Sequence, residues 1–220
     1  MKELIRIAIA DDHKLIRAGI TMILSENDQF LVVQQASNGR ELLDGMANSK
    51  PDVVLLDLEM PVLGGKETLI EIRKSYPDVR VLILTMHKNE AFIIQMMELG
   101  ANGYLIKNTD PDEVVQAIHK VIQSEFYFSD VVSMAMLQGI SQPDLKLSDE
   151  LSKSGLTERE MDILRLICKE YTTIEIGEAL FLSPKTIEGY RKLLMDKTDA
   201  RNMAGLVLFA VRNGIHSEGN

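Results

Sequence analysis

Five residues in the first half of the chain could together carry phosphoryl chemistry: Asp11, Asp12, Asp57, Thr85 and Lys107. Each follows or ends a short apolar run. Three carboxylates brought together repel one another unless a cation joins them. A hard divalent ion such as Mg2+ suits that role, because it takes oxygen ligands and keeps room for phosphate oxygens. One carboxylate can then act as a nucleophile and form an aspartyl phosphate. Catalysis of such a step is mostly positioning and charge stabilisation, with a metal and a lysine as the expected helpers. A single aspartate at a strand end is an ordinary turn or cap residue. The whole set, in strand order, is what points to chemistry.

That convergence requires a particular scaffold. The near-continuous apolar runs 4–10, 52–58 and 80–85 read as strands buried on both faces, and 30–36 and 103–106 are weaker strand candidates. Helical periodicity fills 13–25, 39–48, 66–75, 89–99 and 111–123. Pro51, Pro61, Pro77 and Pro111 fall at element edges. Strands alternating with helices predict an α/β, doubly wound, five-stranded parallel sheet over residues 1–124, with helices on both faces. Ligands of such sheets bind at the carboxyl ends of the strands, where the five residues fall. Gly64-Gly65 reads as a loop, and no P-loop or dinucleotide fingerprint occurs.

Residues 125–154 read as a short helix, about 130–139, and a polar, turn-rich linker. Residues 155–216 form a small all-α domain with helices near 157–169, 172–180, 184–197 and 202–212. Thr157 and Glu160 have capping-box spacing. Ser183 caps the third helix and Pro184 takes its first position. Ile174, Ile176 and Leu180 are expected as apolar contacts, and Ile187, Tyr190 and Leu194 as the core face of the third helix. Lys185, Glu188, Arg191, Lys192 and Lys197 are expected on exposed positions. Two short helices, a tight turn and a basic third element describe a helix-turn-helix whose third element enters the major groove of DNA. Charge adds little, because residues 183–201 carry five basic and three acidic side chains. A small helical interaction domain therefore stays open as an alternative.

Of 220 residues, 45% are hydrophobic and 26% charged, the balance of a globular protein. Net charge is −9, split as −6 over residues 1–125, −3 over 126–150 and zero over 151–220. That distribution excludes a protein that coats nucleic acid along its length. Cys168 is the sole cysteine, so no intrachain disulfide forms and a reducing compartment fits. No run approaches the ~18–20 apolar residues of a membrane helix, and the first residues lack an apolar signal core. A cytoplasmic protein without membrane association is expected. His13, His87, His119 and His216 show no metal-ligand spacing, although His13 adjoins the acidic pair. Met96 and Met97 read as helix packing.

Several stretches resemble a known family. Ile9-Ala10-Asp11-Asp12-His13, the run from Val53 through Asp57 and Glu59 to Pro61, Gly64-Gly65, Leu84-Thr85 and the run from Gly100 to Lys107 resemble the receiver domain of two-component signalling, a flavodoxin-like fold. The likeness implies that Asp57 is the phosphoacceptor, served by a phosphohistidine on a sensor histidine kinase. It implies that Asp12 and Asp57 hold Mg2+ by side chains, Glu59 by its backbone carbonyl and Asp11 through water. Lys107 and Thr85 would contact the phosphoryl group, and Tyr104 matches the aromatic switch position. Asn108 departs from a common proline.

Residues 156–215 resemble the LuxR-type DNA-binding domain through Leu156-Thr157-Glu158-Arg159-Glu160, Glu175-Ile176-Gly177, the run from Leu182 to Glu188, Lys197, Asn202 and Gly205-Leu206-Val207. Receiver and LuxR-type domain together resemble the NarL/FixJ class of response regulators. This implies transcriptional regulation on double-stranded promoter DNA, as a homodimer when phosphorylated. Glu188, Gly189 and Lys192 would face base edges, and Lys185, Thr186 and Arg191 would sit near phosphates. Tyr190 replaces a common histidine, Thr198-Asp199-Ala200 a common Leu-Gly-Val, and Met203 a common arginine. A modest DNA binder that relies on dimerisation is expected. No enzymatic activity is expected beyond self-phosphorylation and slow autodephosphorylation at Asp57. A phosphatase using Asp57 as nucleophile, and a protein-docking helical output, are the competing readings.

Overall fold

The computed structural model describes residues 4–140 and 155–215, with only the helical backbone for 136–140. The expected linker over 141–154 and His216 lie outside the described residues. Five strands, β1 (Ile5–Ala10), β2 (Phe30–Ala36), β3 (Val53–Leu56), β4 (Arg80–Thr85) and β5 (Gly103–Ile106), pair in parallel in the order β2-β1-β3-β4-β5. The helices between them are α1 (Lys14–Ser25), α2 (Gly39–Ser49), α3 (Gly65–Ser75), α4 (Glu90–Glu98) and α5 (Pro111–Ser124). Each is close to its expected bounds.

Strand alternation sorts the core into two layers. Ile7, Ile9, Val53, Leu55, Leu82, Leu84 and Leu105 pack with Ile20 and Leu24 of α1 and with Val114, Ala117, Ile118 and Val121 of α5. Ala8, Ala10, Val54, Leu56, Val81, Ile83 and Tyr104 face the other way, onto α2, α3 and α4. Short polar side chains start the helices: Asn38 accepts from the Glu41 N–H, Asn89 from Phe92, and Asp110 from Asp112 just ahead of Pro111.

α6 (Asp130–Ile140) follows, then α7 (Glu158–Cys168), α8 (Thr173–Leu180), α9 (Pro184–Thr198) and α10 (Met203–Arg212). Thr157-Glu160 and Thr172-Glu175 both form capping boxes, and Ser183 caps α9 with Pro184 in its first turn. Glu160 does more than cap. Its side chain is buried and takes the Lys197 ammonium at 2.8 Å, which ties α7 to α9. Lys197, expected to be exposed, is therefore structural. Ile176 is buried as expected, but Ile174 is 61% exposed.

The helical unit docks on the β/α unit. α10 packs against α4 and α6, and one apolar cluster runs from Ile93 and Met96 through Val132 and Ala135 into the α10 core. Polar contacts flank it: Lys120–Glu170 at 2.6 Å, Arg191–Glu125 at 2.9 Å, Arg212–Glu98, and Asn202 on the carbonyls of Gly100 and Ala101.

Candidate functional site

β1 and β3 lie side by side at the point where the strand order reverses, so their carboxyl ends open into one crevice. The Asp57 N–H donates to the Ala10 carbonyl at 2.8 Å, extending the β1–β3 ladder past the strand. Asp11, at the end of β1, and Asp57 are thus held next to each other, 2% and 3% exposed. Across the crevice the Lys107 N–H donates to the Thr85 carbonyl, placing Lys107 just after β5. Its Nζ lies 2.7 Å from Asp57 Oδ2 and 2.7 Å from Asp11 Oδ2.

The electrostatics follow from burial. Burial raises the Asp57 carboxyl above the ordinary carboxylate range; Lys107 draws it back, while the Asp11 charge adds to the rise. Burial opposes the Lys107 charge, but its hydrogen bonds to Asp11 and Asp57 outweigh it and the ammonium titrates above its usual value. Asp57 Oδ1 accepts from the Leu58 N–H at 2.8 Å.

Ligand atoms of Asp11, Asp12, His13 and Asp57 lie within 4.8 Å of one another. Asp11 Oδ2 is buried and has the Lys107 ammonium 2.7 Å away as its partner. Clustered hard carboxylate oxygens in a polar crevice fit Mg2+. His13 Nδ1 lies 2.7 Å from Asp12 Oδ1, and the His13 N–H donates to Asp11 Oδ1 at 2.8 Å. His13 therefore orients both carboxylates. The Glu59 side chain, 71% exposed, turns to His87 Nε2 at 2.9 Å, on the β4–α4 loop.

Gly64 ends the loop after β3 as expected, but Gly65 is already helical. Gly64 is the N-cap of α3 and Gly65 its first residue. A Cβ on Gly65 would stand 2.1 Å from the Asp57 carbonyl oxygen and 2.7 Å from Leu58 Cα. Only glycine lets α3 start against the phosphoacceptor candidate.

Thr85 is 1% exposed and Tyr104 is fully buried. The Tyr104 hydroxyl donates to the His87 carbonyl at 3.1 Å, and the Ser129 hydroxyl donates to the Tyr104 carbonyl at 2.7 Å. Tyr104 thus links the loop after Thr85 to the residue just before α6.

On α9, Lys185, Thr186, Glu188, Gly189 and Lys192 are exposed, whereas Arg191 is not. Its side chain is 15% exposed. Nη1 donates to Thr173 Oγ1, Nε to Met203 Sδ at 3.2 Å, and Nη2 pairs with Glu125.

Comparison with known proteins matches residues 7–119 to the response regulator receiver domain and residues 154–210 to bacterial regulatory proteins of the luxR family. Response regulator GacA of Pseudomonas aeruginosa is 34% identical over 212 residues, covering 96% of this chain and 98% of that protein. Response regulator UvrY of Escherichia coli is 35% identical over 212 residues, with 96% of each covered. Among solved structures, a LuxR-family two-component response regulator from Aurantimonas aligns with a TM-score of 0.60 at 30% identity, covering 64% of this chain and all of that one. The RcsB–DNA complex aligns over 96% of this chain and 99% of that one, with a TM-score of 0.57 and 25% identity. No helix of the described residues is long and apolar enough to cross a membrane.

Proposed function

Starting from the fact that the chain belongs to the response regulators, joining a receiver to a luxR-family DNA-binding domain, we propose that Asp57 is its phosphoacceptor. The observation that carries this is the Asp57 carboxylate at the end of β3, 2.7 Å from the Lys107 ammonium and beside Asp11. A phosphohistidine of a sensor kinase supplies the phosphoryl group. An Asp57 oxygen attacks phosphorus, the P–N bond breaks, and the histidine nitrogen leaves with the electron pair. Lys107 neutralises charge on the acceptor and on the transferred oxygens. Asp12 and Asp57 would hold Mg2+ by side chains, Glu59 by its backbone carbonyl and Asp11 through water, and the ion would supply charge neutralisation on the phosphoryl oxygens. Thr85 then turns to the phosphoryl group. Tyr104, already inside, follows into the space, and its contacts to His87 and Ser129 pass the change to α6 and α4.

The output is transcriptional control by the exposed face of α9 on promoter DNA. Glu188, Gly189 and Lys192 face base edges, and Lys185, Thr186 and Arg191 face phosphates. The protein acts as a homodimer in the cytoplasm and turns over no substrate beyond slow loss of its own phosphoryl group. GacA and UvrY bear the name response regulator, and the RcsB structure holds DNA. Two measurements test the reading. Asp57→Asn abolishes acid-labile phosphate incorporation from acetyl phosphate; undiminished incorporation sinks the assignment. Footprinting on promoter DNA gains protection when the phosphoryl donor is added, and an unchanged footprint sinks the coupling.

A further inference from the structure

The receiver holds one anion against α9, the Glu125 carboxylate on Arg191. Glu125 caps α5 in the left-handed conformation, φ 69°, which a side-chain-bearing residue adopts only when its surroundings fix it. Here three contacts fix it. The Asn102 amide donates to its carbonyl at 2.7 Å, Arg80 Nη2 lies 3.3 Å from Oε1, and Arg191 Nη2 lies 2.9 Å from Oε2. Arg191 is equally constrained. Thr173 takes Nη1 and Met203 takes Nε, which leaves Nη2 for the anion at hand, here a single oxygen of Glu125. A phosphate oxygen can take the same charge-assisted contact.

We propose that Glu125 is an internal rival of the DNA backbone: its carboxylate occupies the position on Arg191 that a phosphate takes in the DNA complex, and DNA binds by exchanging one anion for the other. Thr173 and Met203 are positioning residues for that exchange. The proposal rests on the assignment of Arg191 as a phosphate contact. Steric blocking is a poor alternative here, because Lys185, Thr186, Glu188, Gly189 and Lys192 on the same helix are exposed while α10 does the docking. The rival is tethered, so its local concentration is high and independent of protein concentration. Salt weakens it as it weakens the DNA contact, so competition is felt most at low ionic strength.

The test uses the full-length unphosphorylated protein and a fluorescent duplex of mixed sequence, since phosphate contacts do not depend on sequence. Glu125→Gln keeps the shape and the αL backbone and removes the charge. Its affinity rises about two- to fivefold over wild type at low salt, the range of one partly exposed ion pair. The gap closes as salt rises to about 0.3 M, where screening is nearly complete. Arg80→Gln leaves the Glu125 carboxylate to Arg191 alone and so lowers affinity below wild type at low salt; a rise above wild type overturns the proposal. Equal affinity of Glu125→Gln and wild type at every salt overturns the proposal. A gain that is constant across salt also overturns it, because loosened docking, not anion competition, gives that. Arg191→Gln, after acetyl phosphate treatment, separates the underlying assignment. Weakened duplex binding with a shallower salt slope supports the contact. Unchanged binding by a variant with native circular dichroism overturns the contact and the proposal with it.

Discussion

The Asn202 side-chain amide donates to the Gly100 carbonyl, 102 residues earlier, at 2.6 Å, and shares a second bond with the Ala101 carbonyl. The same side chain caps α10 through Oδ1, which accepts from the Gly205 N–H at 2.9 Å. One residue therefore starts the docking helix and fastens it to the end of α4. The two roles separate by substitution. Asn202→Ser keeps a cap oxygen and loses the interdomain donors; Asn202→Ala loses both. Each lost contribution is about 1 kcal/mol. Small-angle scattering of Asn202→Ser shows an expanded particle with near-native helicity. An unchanged radius of gyration contradicts the fastening role.

Gly65→Ala tests the close approach of α3 to Asp57. The added methyl meets backbone on both sides, not a side chain that can swing away. Relief requires α3 to shift, at about 1–3 kcal/mol, and the shift moves the Asp57 loop. Chemical denaturation gives a lower midpoint, and acetyl phosphate labels Asp57 more slowly. A variant with wild-type stability and labelling contradicts the requirement for glycine.

Removing the Lys107 charge leaves two buried carboxylates facing each other. Lys107→Met destabilises the protein at neutral pH by about 3 kcal/mol, the cost of breaking a buried pair by removing one partner. Without the lysine the Asp57 carboxyl climbs further above its ordinary range, so protonation at lower pH restores part of the stability. Mg2+ restores part of it as well, since an ion that binds the folded state alone raises the melting temperature. Melting curves in Mg2+ and in chelator check this; a variant blind to both pH and Mg2+ contradicts the account of the crevice.

Glu160 sets an acid limit on the helical unit. Burial works to raise its carboxyl, but the Lys197 ammonium and the Thr157 bonds outweigh that and hold it below the ordinary value. A carboxyl lowered by folding contributes stability that is present above its unfolded value and is lost as pH falls through the folded one. The contribution of the Glu160–Lys197 pair is therefore lost as pH falls below the ordinary glutamate range. Glu160→Gln is less stable at neutral pH and shows a flatter acid limb. Parallel limbs contradict the assignment.

Element identities were legible because strand runs, caps and prolines agree with one another, as at Asp110-Pro111 and Ser183-Pro184. The crevice was legible because each of its groups stands at the end of a strand. Gly65 was not, because paired glycines announce a turn and the clearance they provide is set by Asp57, distant in local pattern. Arg191 and Lys197 looked exposed because a basic side chain on a polar helix face ordinarily is; their partners, Glu125 and Glu160, come from other elements. Docking through α10 left a trace that could have been read. Met203, Ala204, Leu206, Val207, Leu208 and Ala210 are all buried, and a helix apolar on nearly every side must be covered on every side.

A chain whose α10 leaves α4 and α6 wets the apolar cluster that joins them, so any release of the helical unit works against the hydrophobic effect as well as against the ion pairs around it.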